Sequence, residues 1–273
     1  MKFIYPFIVL FFLNLNLQAQ KTLQGIMKDK VTNENLAYVN IGIVNQNSGT
    51  VSDTSGKFEF KIKDNLSTED LKISLIGYNT MVMKVSEFEN EIAKNEIIYL
   101  EKSIAVLKEI VIKNKNLKIA TLGNILGRKT VSAGFVNNVL GNEIGIIIKI
   151  QKKPTFIESF NAIVDYNKYK ELKFRINFYN LKKGLPNNTL LQENIIVTST
   201  VKNGLMTIDL NDYNIVVYED FFVSIELIEG MGEGGLHFLA DYDGIPIITR
   251  SASQGKWNKQ KDLSFGFNLT TKY

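Results

Sequence analysis

The sequence predicts an all-β protein made of two β-sandwich domains in tandem. Three observations carry that expectation. Apolar and polar residues alternate with period two over many short runs, as Phe58, Phe60 and Ile62 do against Lys57, Glu59 and Lys61. Turn chemistry recurs between the runs, at Asp53 and Gly56, at Asn203-Gly204 and at Asp243-Gly244. A 3.6-residue period is visible only over residues 85–93, so helix has little place to form.

Composition sets the outer bounds. With 45% hydrophobic and 22% charged residues, the chain has the usual globular balance and enough apolar material to bury a core. The formal charge of +4 over 273 residues is too diffuse to argue for nucleic acid. The absence of cysteine excludes a disulfide, a thiolate zinc site, a cysteine nucleophile and a lipidated N-terminal cysteine. The single histidine, His237, cannot supply the histidine pair of a metalloenzyme site.

In chain order, residues 1–19 have the plan of a signal peptide. Lys2 is the positive region, residues 3–13 are the apolar stretch, and Leu17-Gln18-Ala19 is a weak cleavage site. Eleven residues rise only about 16 Å as a helix, against a bilayer core of about 30 Å. The segment is therefore an export signal rather than a span, and no later stretch is apolar enough to cross.

Residues 20–102 form the first expected sandwich. Residues 38–44 alternate, with Val39, Ile41 and Ile43 on one face. Residues 49–62 are expected to form a hairpin: the Asp53 carboxylate accepts a backbone N–H two residues on, and Gly56 takes positive φ without a Cβ clash. Residues 71–75 alternate again, and Ile76-Gly77-Tyr78-Asn79 breaks the run. Met81, Met83 and Val85 make another inward row, and residues 97–100 close the set.

Four motifs in order then give a family. Gly25-Ile-Met-Lys-Asp29, Leu36-Ala-Tyr-Val-Asn-Ile41, Gly49-Thr-Val-Ser-Asp53-Thr-Ser-Gly56-Lys-Phe58 and Ile73-Ser-Leu-Ile-Gly77-Tyr78 resemble the carboxypeptidase regulatory-like domain. Ala37 and Ser52 are mild departures from its pattern, and residues 107–112 resemble the strand that often follows it. The resemblance implies a transthyretin-like sandwich of seven strands. It implies no peptidase, which would need two histidines and a glutamate on zinc. Such domains also precede large outer-membrane transporters, but about 160 remaining residues cannot build a 22-stranded barrel.

Residues 103–118 are the connecting strand and linker, whose end, Lys-Asn-Lys-Asn-Leu-Lys at 113–118, is polar and basic. Residues 119–273 are the second expected sandwich, of nine or ten strands and jelly-roll type. Residues 145–150 are a buried-type run with residues 156–164 as the plausible partner. Leu172, Phe174, Ile176 and Phe178 point inward from one strand. Residues 194–201 are expected to pair with 205–210 across Asn203-Gly204, the best type I′ signal in the chain. This half is loosely similar to jelly-roll modules of secreted adhesins and carbohydrate-binding proteins.

The candidate sites are few. Asp241-Tyr-Asp243-Gly244 opens like a calcium loop, but the terminal bidentate glutamate is missing, so a structural turn is the stronger reading. Trp257 could stack on a sugar with Tyr218, Tyr242 or Arg250 nearby, or anchor a core or rim. Glu226, Glu229 and Glu233 lie on or beside a glycine-rich loop and are expected to be solvated rather than catalytic. That loop lacks the ending of a phosphate cradle. His237 is expected to be a strand residue.

The combined expectation is an exported, non-catalytic protein of a Gram-negative envelope, in the periplasm or associated with the outer membrane, with the cell surface as a further location. Its partner would be an envelope protein or a surface glycan. No cofactor is expected, with a structural calcium at Asp241 and Asp243 as the open alternative. A hydrolase using carboxylates alone is the competing function, and a carboxylate-lined cleft would favour it.

Overall fold

The computed structural model describes residues 20–104, 117–125, 131–135, 139–230 and 234–273. The export segment, most of the linker, the strand expected at 107–112 and Glu233 lie outside the described residues. Within them the chain is all-β apart from one helix and two single 3₁₀ turns.

The first sandwich comprises β1 (Gln20–Asp29), β2 (Asn40–Ile43), β3 (Gly49–Val51), β4 (Lys57–Lys63), β5 (Asp70–Ser74), β6 (Met81–Lys84), helix α1 (Val85–Lys94) and β7 (Ile97–Leu100). Two sheets, β4-β1-β7 and β3-β2-β5-β6, face each other. The alternation dictates what lies between them: Val39, Ile41 and Ile43 meet Phe58, Phe60, Ile62, Leu71 and Ile73. Burying each large side chain contributes about 1.5–3 kcal/mol. The short periodic stretch is α1, which lays buried Val85 and Phe88 on this core. The Phe88 ring sits 6.0 Å from Phe58 and 6.4 Å from Phe60.

The second sandwich is built from β8 (Ile119–Gly123), β9 (Val131–Phe135), β10 (Glu143–Ile148), β11 (Thr155–Asn167), β12 (Leu172–Lys182), β13 (Leu185–Thr189), β14 (Ile195–Ser199), β15 (Gly204–Asp209), β16 (Val216–Val217), β17 (Phe221–Leu227), β18 (Leu236–Asp241), β19 (Ile247–Arg250), β20 (Asn258–Gln260), β21 (Ser264–Phe265) and β22 (Phe267–Lys272). There are more segments than the nine or ten expected because short pieces share a long strand, as β15 and β16 do on β11. One sheet runs β13-β12-β17-β10-β19-β20 with β14 on β12; the other runs β21-β18-β11-β22-β8 with β15, β16 and β9 attached. Leu172, Phe174, Ile176 and Phe178 enter the core between them, as the alternation predicts.

Pairing departs from the sequence expectation at three places. The Asp53 turn forms as expected: its Oδ1 accepts the Ser55 and Lys57 amides, and Gly56 has φ +78°. Yet it joins β3 to β4, which lie in different sheets, so residues 49–62 form a corner rather than a hairpin. Asn203-Gly204 likewise joins β14, which pairs with β12, to β15, which pairs with β11. Gly204 takes φ +98° while Asn203 does not take positive φ, so the type I′ turn does not form. The run at 145–150 pairs with β17 and β19, and β11 is in the opposite sheet. Turn chemistry reverses the chain, but it does not decide whether the flanking strands bond to each other.

Two family motifs meet in the first sandwich. Asp29 Oδ1 accepts the backbone N–H groups of Val31 and Thr32, and its Oδ2 accepts the Tyr78 hydroxyl at 2.9 Å. The two amides, then Tyr78 and Lys102, hold the Asp29 carboxyl down at about 2 against the opposing effect of burial, from an ordinary 3.8. Burial first, and then Asp29, lift the Tyr78 phenol to about 12. A carboxyl whose folded pKa is depressed stabilises the fold above its unfolded pKa and loses that contribution as pH falls toward the folded value. The urea midpoint is therefore expected to fall between about pH 5 and pH 2 more steeply in the wild type than in Asp29→Asn. Parallel curves for the two proteins would show that this contact carries no such linkage.

Candidate functional site

The outer faces of two sheets meet where the sandwiches touch. In the first, Asn40 and Gly42 of β2 lie opposite Ser74 and Lys72 of β5, all facing away from the core that takes Ile41 and Ile73. In the second, the alternation that sends Ile225 and Val223 inward turns Glu226 and Ser224 outward, yet β17 is buried along its whole length. The first sandwich covers that face.

Four charged residues lie in one cross-strand row beneath this cover. Arg175 of β12 is the register partner of Glu226 on β17, Glu226 of Glu143 on β10, and Glu143 of Arg250 on β19. The row is thus plus, minus, minus, plus, and every member is buried. Arg250 Nη2 lies 2.5 Å from Glu143 Oε2 and 3.8 Å from Glu226 Oε1, and Arg175 Nε lies 3.7 Å from Glu226 Oε2. Asn177 Nδ2 donates to both carboxylates, at 3.0 Å and 2.7 Å, the Ser224 hydroxyl donates to Glu143, and Tyr179 OH reaches it at 3.5 Å. Burial pushes the Glu143 carboxyl up, Arg250 pulls it back, and neighbouring Glu226 pushes it up again, leaving it above its ordinary value. Burial and then Glu143 carry the Tyr179 phenol well above its own.

The first sandwich supplies the remaining partners. Asn40 Nδ2 donates to Glu226 Oε1 at 3.0 Å, and Arg175 Nη2 donates to the Tyr38 carbonyl at 2.6 Å. Tyr38 holds φ +59°, a costly conformation for an aromatic residue, and its carbonyl carries this contact. Tyr38, Val51 and Ile228 form a small apolar cluster across the junction. The loop at Ser253 presses against Gly42 and Gly49, where an added Cβ would lie 2.0 Å and 2.3 Å from the Ser253 carbonyl oxygen. Glycine is what lets the two backbones approach this closely. The Asn45 amide donates to the Gln254 carbonyl at 3.1 Å, and Gln254 Nε2 to Ser74 Oγ at 2.9 Å.

Beside this contact the junction opens into a cleft of about 540 Å³. Lys72, Arg175 and Arg250 line it with Asn40, Asn177, Tyr179, Gln254 and Trp257, and its lining includes no Asp or Glu. Trp257 is half-buried at the rim, edge-on to Phe222 and Tyr179 with ring centroids 5.3 Å and 6.0 Å away. The Arg250 guanidinium lies 4.7 Å from its ring centre. Lys72 is pulled below its ordinary pKa by burial and then by Arg250. Among the described residues it has no carboxylate at ion-pair distance.

Of the residues singled out from sequence, Trp257 and Arg250 come together at this cleft. Tyr242 and Tyr218 do not line it and are exposed elsewhere. Glu226 is corrected outright: it is a fully buried strand residue in the charge row, not a solvated loop acid. Glu229, by contrast, is paired with Lys173 at 2.8 Å beside Tyr38, away from the cleft lining. Asp241 and Asp243 are turn scaffolding, with their carbonyl oxygens accepting from the Ser264 hydroxyl. Among the described residues no three His, Asp or Glu side chains gather into a metal site. His237 is a half-buried strand residue stacked on Tyr166 at 4.4 Å. Sequence reasoning did not single out Glu143, Arg175 or Asn177. Glu143 stands just before the buried-type run at 145–150, and Arg175 and Asn177 are outward positions of the alternating run at 172–178, so neither run signals their burial.

Residues 23–112 match the family described as CarboxypepD_reg-like domain, a non-catalytic domain type. The match ends before the first strand that carries the charge row. No curated protein matches the sequence. No helix among the described residues is long and apolar enough to cross a membrane.

Proposed function

We propose that the chain is an exported, non-catalytic binding protein of the cell envelope, and that it holds a polar ligand in the cleft between its sandwiches. The observation that carries this reading is the division of charge. Among the described residues the cleft is lined by cations, amides and a few apolar side chains such as Leu75 and Leu191, without a carboxylate, while Glu143 and Glu226 have all four oxygens engaged by protein groups. General acid–base or glycosidic chemistry needs a carboxyl within hydrogen-bond reach of the substrate. These two are held away from it, which favours binding over the hydrolase alternative.

Export rests on Lys2 and the apolar run at 3–13, and the absence of cysteine leaves the fold independent of redox compartment. A ligand site is favoured over docking of an apolar protein surface. Among the described residues the most exposed large apolar side chains are spread over the chain, as Val82 on β6 and Leu205 on β15, and single exposed apolar residues are ordinary surface.

The test is retention from solubilised envelope on the immobilised mature protein, with sugar and protein analysis of what is held. Trp257→Ala, at the rim, is expected to lose most of the retained material. Because it also removes the ring packed against Phe222, Tyr179 and Arg250, circular dichroism of the variant establishes that it is folded before retention is compared. Nothing retained, or equal retention by a folded Trp257→Ala, would count against the cleft as a binding site.

A further inference from the structure

We infer that the ligand of this cleft carries a single carboxylate on a hydroxylated, saccharide-sized body, and that Lys72 is its counter-ion. The inference rests on the binding function proposed above and names the ligand class of the same site. Three observations lead to it.

The first is charge balance. The row Arg175, Glu226, Glu143 and Arg250 is internally neutral, two against two, and all four are held together within the protein. Lys72 adds one positive charge to the cleft wall without a carboxylate partner among the described residues. A half-buried cation is costly unless paired, so the cleft favours an anion, and one unit of charge matches it.

The second is a set of buried polar atoms in residues that line the cleft from both sandwiches. Arg175 Nε, Arg250 Nε and Asn40 Oδ1 are buried and make no hydrogen bond, although Arg175 Nε stands 3.7 Å from Glu226 Oε2. Their side chains are all at least nine-tenths buried, and all three residues line the cleft. Buried donors and acceptors normally find partners, and Arg250 Nε and Asn40 Oδ1, a free donor and a free acceptor, suit a ligand hydroxyl.

The third is the edge of the second sandwich's sheet. Asn187, Asn188 and Gln192 line the cleft from β13, which pairs with β12, and from the turn after it. An amide offers a donor and an acceptor together, the pairing that a sugar hydroxyl requires. The volume of about 540 Å³ suits one or two sugar rings, within the usual range of small-ligand sites.

Isothermal titration of the full mature protein tests this with four probes: D-glucuronate, D-glucose, acetate and inorganic phosphate. Glucuronate is expected to bind about tenfold or more tightly than glucose or acetate, as a charged, buried hydrogen bond implies. Lys72→Met is expected to lose about tenfold in glucuronate affinity without a lower melting temperature, because the charge removed has no partner in the fold. Lys72→Arg, which keeps the charge, is expected to retain binding.

Glucose binding as tightly as glucuronate, or a folded Lys72→Met that binds unchanged, overturns the assignment of a carboxylate to Lys72. Phosphate binding as tightly as glucuronate overturns the ligand class. No binding by any probe overturns the inference as a whole. Trp257-dependent retention of envelope material, measured separately, decides whether the cleft remains a binding site in that case.

Discussion

Arg250→Met is expected to cost about 3–5 kcal/mol of folding stability, although it replaces a charged side chain with an apolar one of similar length. The reason lies in what it leaves behind. Arg250 is the 2.5 Å partner of Glu143, whose carboxyl has no exposure to water. Without the guanidinium, Glu143 must stay ionised unpaired or take up a proton, and Glu226 beside it makes the first choice worse. The guanidinium itself is held protonated above its ordinary value: burial opposes its charge, but Glu143, Tyr179 and Glu226 together outweigh that. Adding Glu143→Gln to the same chain is expected to recover a large part of the loss, since the amide strands no charge. Urea unfolding of the two single variants and the double variant measures this. A loss under about 1 kcal/mol for Arg250→Met would mean that the row is solvated in solution.

Gly42→Ala is the second large effect, and its sign opposes the ordinary rule for strands. Alanine in place of glycine normally stabilises by about 0.4–1 kcal/mol through the unfolded chain where φ allows it, and β2 does allow it. Here the new Cβ would stand 2.0 Å from the Ser253 carbonyl oxygen and 2.8 Å from its carbonyl carbon, which are backbone atoms of the other sandwich. Overpacking of this kind typically costs 1–3 kcal/mol, or about that much in lost docking. Calorimetry is expected to show a lower and broader transition as the sandwiches melt less cooperatively, and cleft binding should fall with it. A variant more stable than the wild type would show that Gly42 and Ser253 are not pressed together.

Much of the fold was legible because it depends on local alternation. Val39, Ile41 and Ile43, Phe58, Phe60 and Ile62, and Leu172 through Phe178 all face cores as period two requires. Asp53 and Gly56 make the turn that their chemistry dictates. What failed was pairing: Asp53–Gly56 and Asn203-Gly204 each join strands of opposite sheets, and nothing in a turn sequence distinguishes a corner from a hairpin.

The site was legible only at its rim. Trp257 and Arg250 stood out as residue types, but Arg175, Glu226, Glu143 and Arg250 come from four strands between residues 143 and 250. Each is a polar residue on the face of its strand turned away from the core, where solvent is the default expectation for such a side chain. Their burial follows from a second sandwich laid over that face, through contacts such as Asn40 with Glu226 that span 186 positions. Local pattern cannot report such a covering.

The claim on which the row, the cleft and the inferred ligand all depend is that the two sandwiches are docked face to face. Hydrogen exchange at the Asn45 amide tests it most directly. Asn45 is an exposed residue, and its N–H bonds to the Gln254 carbonyl of the other sandwich. Protection of this amide at a level comparable to strand amides of β2, lost in Gly42→Ala while those β2 amides stay protected, is the result the docked arrangement predicts. Exchange at the rate of a free loop amide in the wild type, with β2 protected, would contradict it.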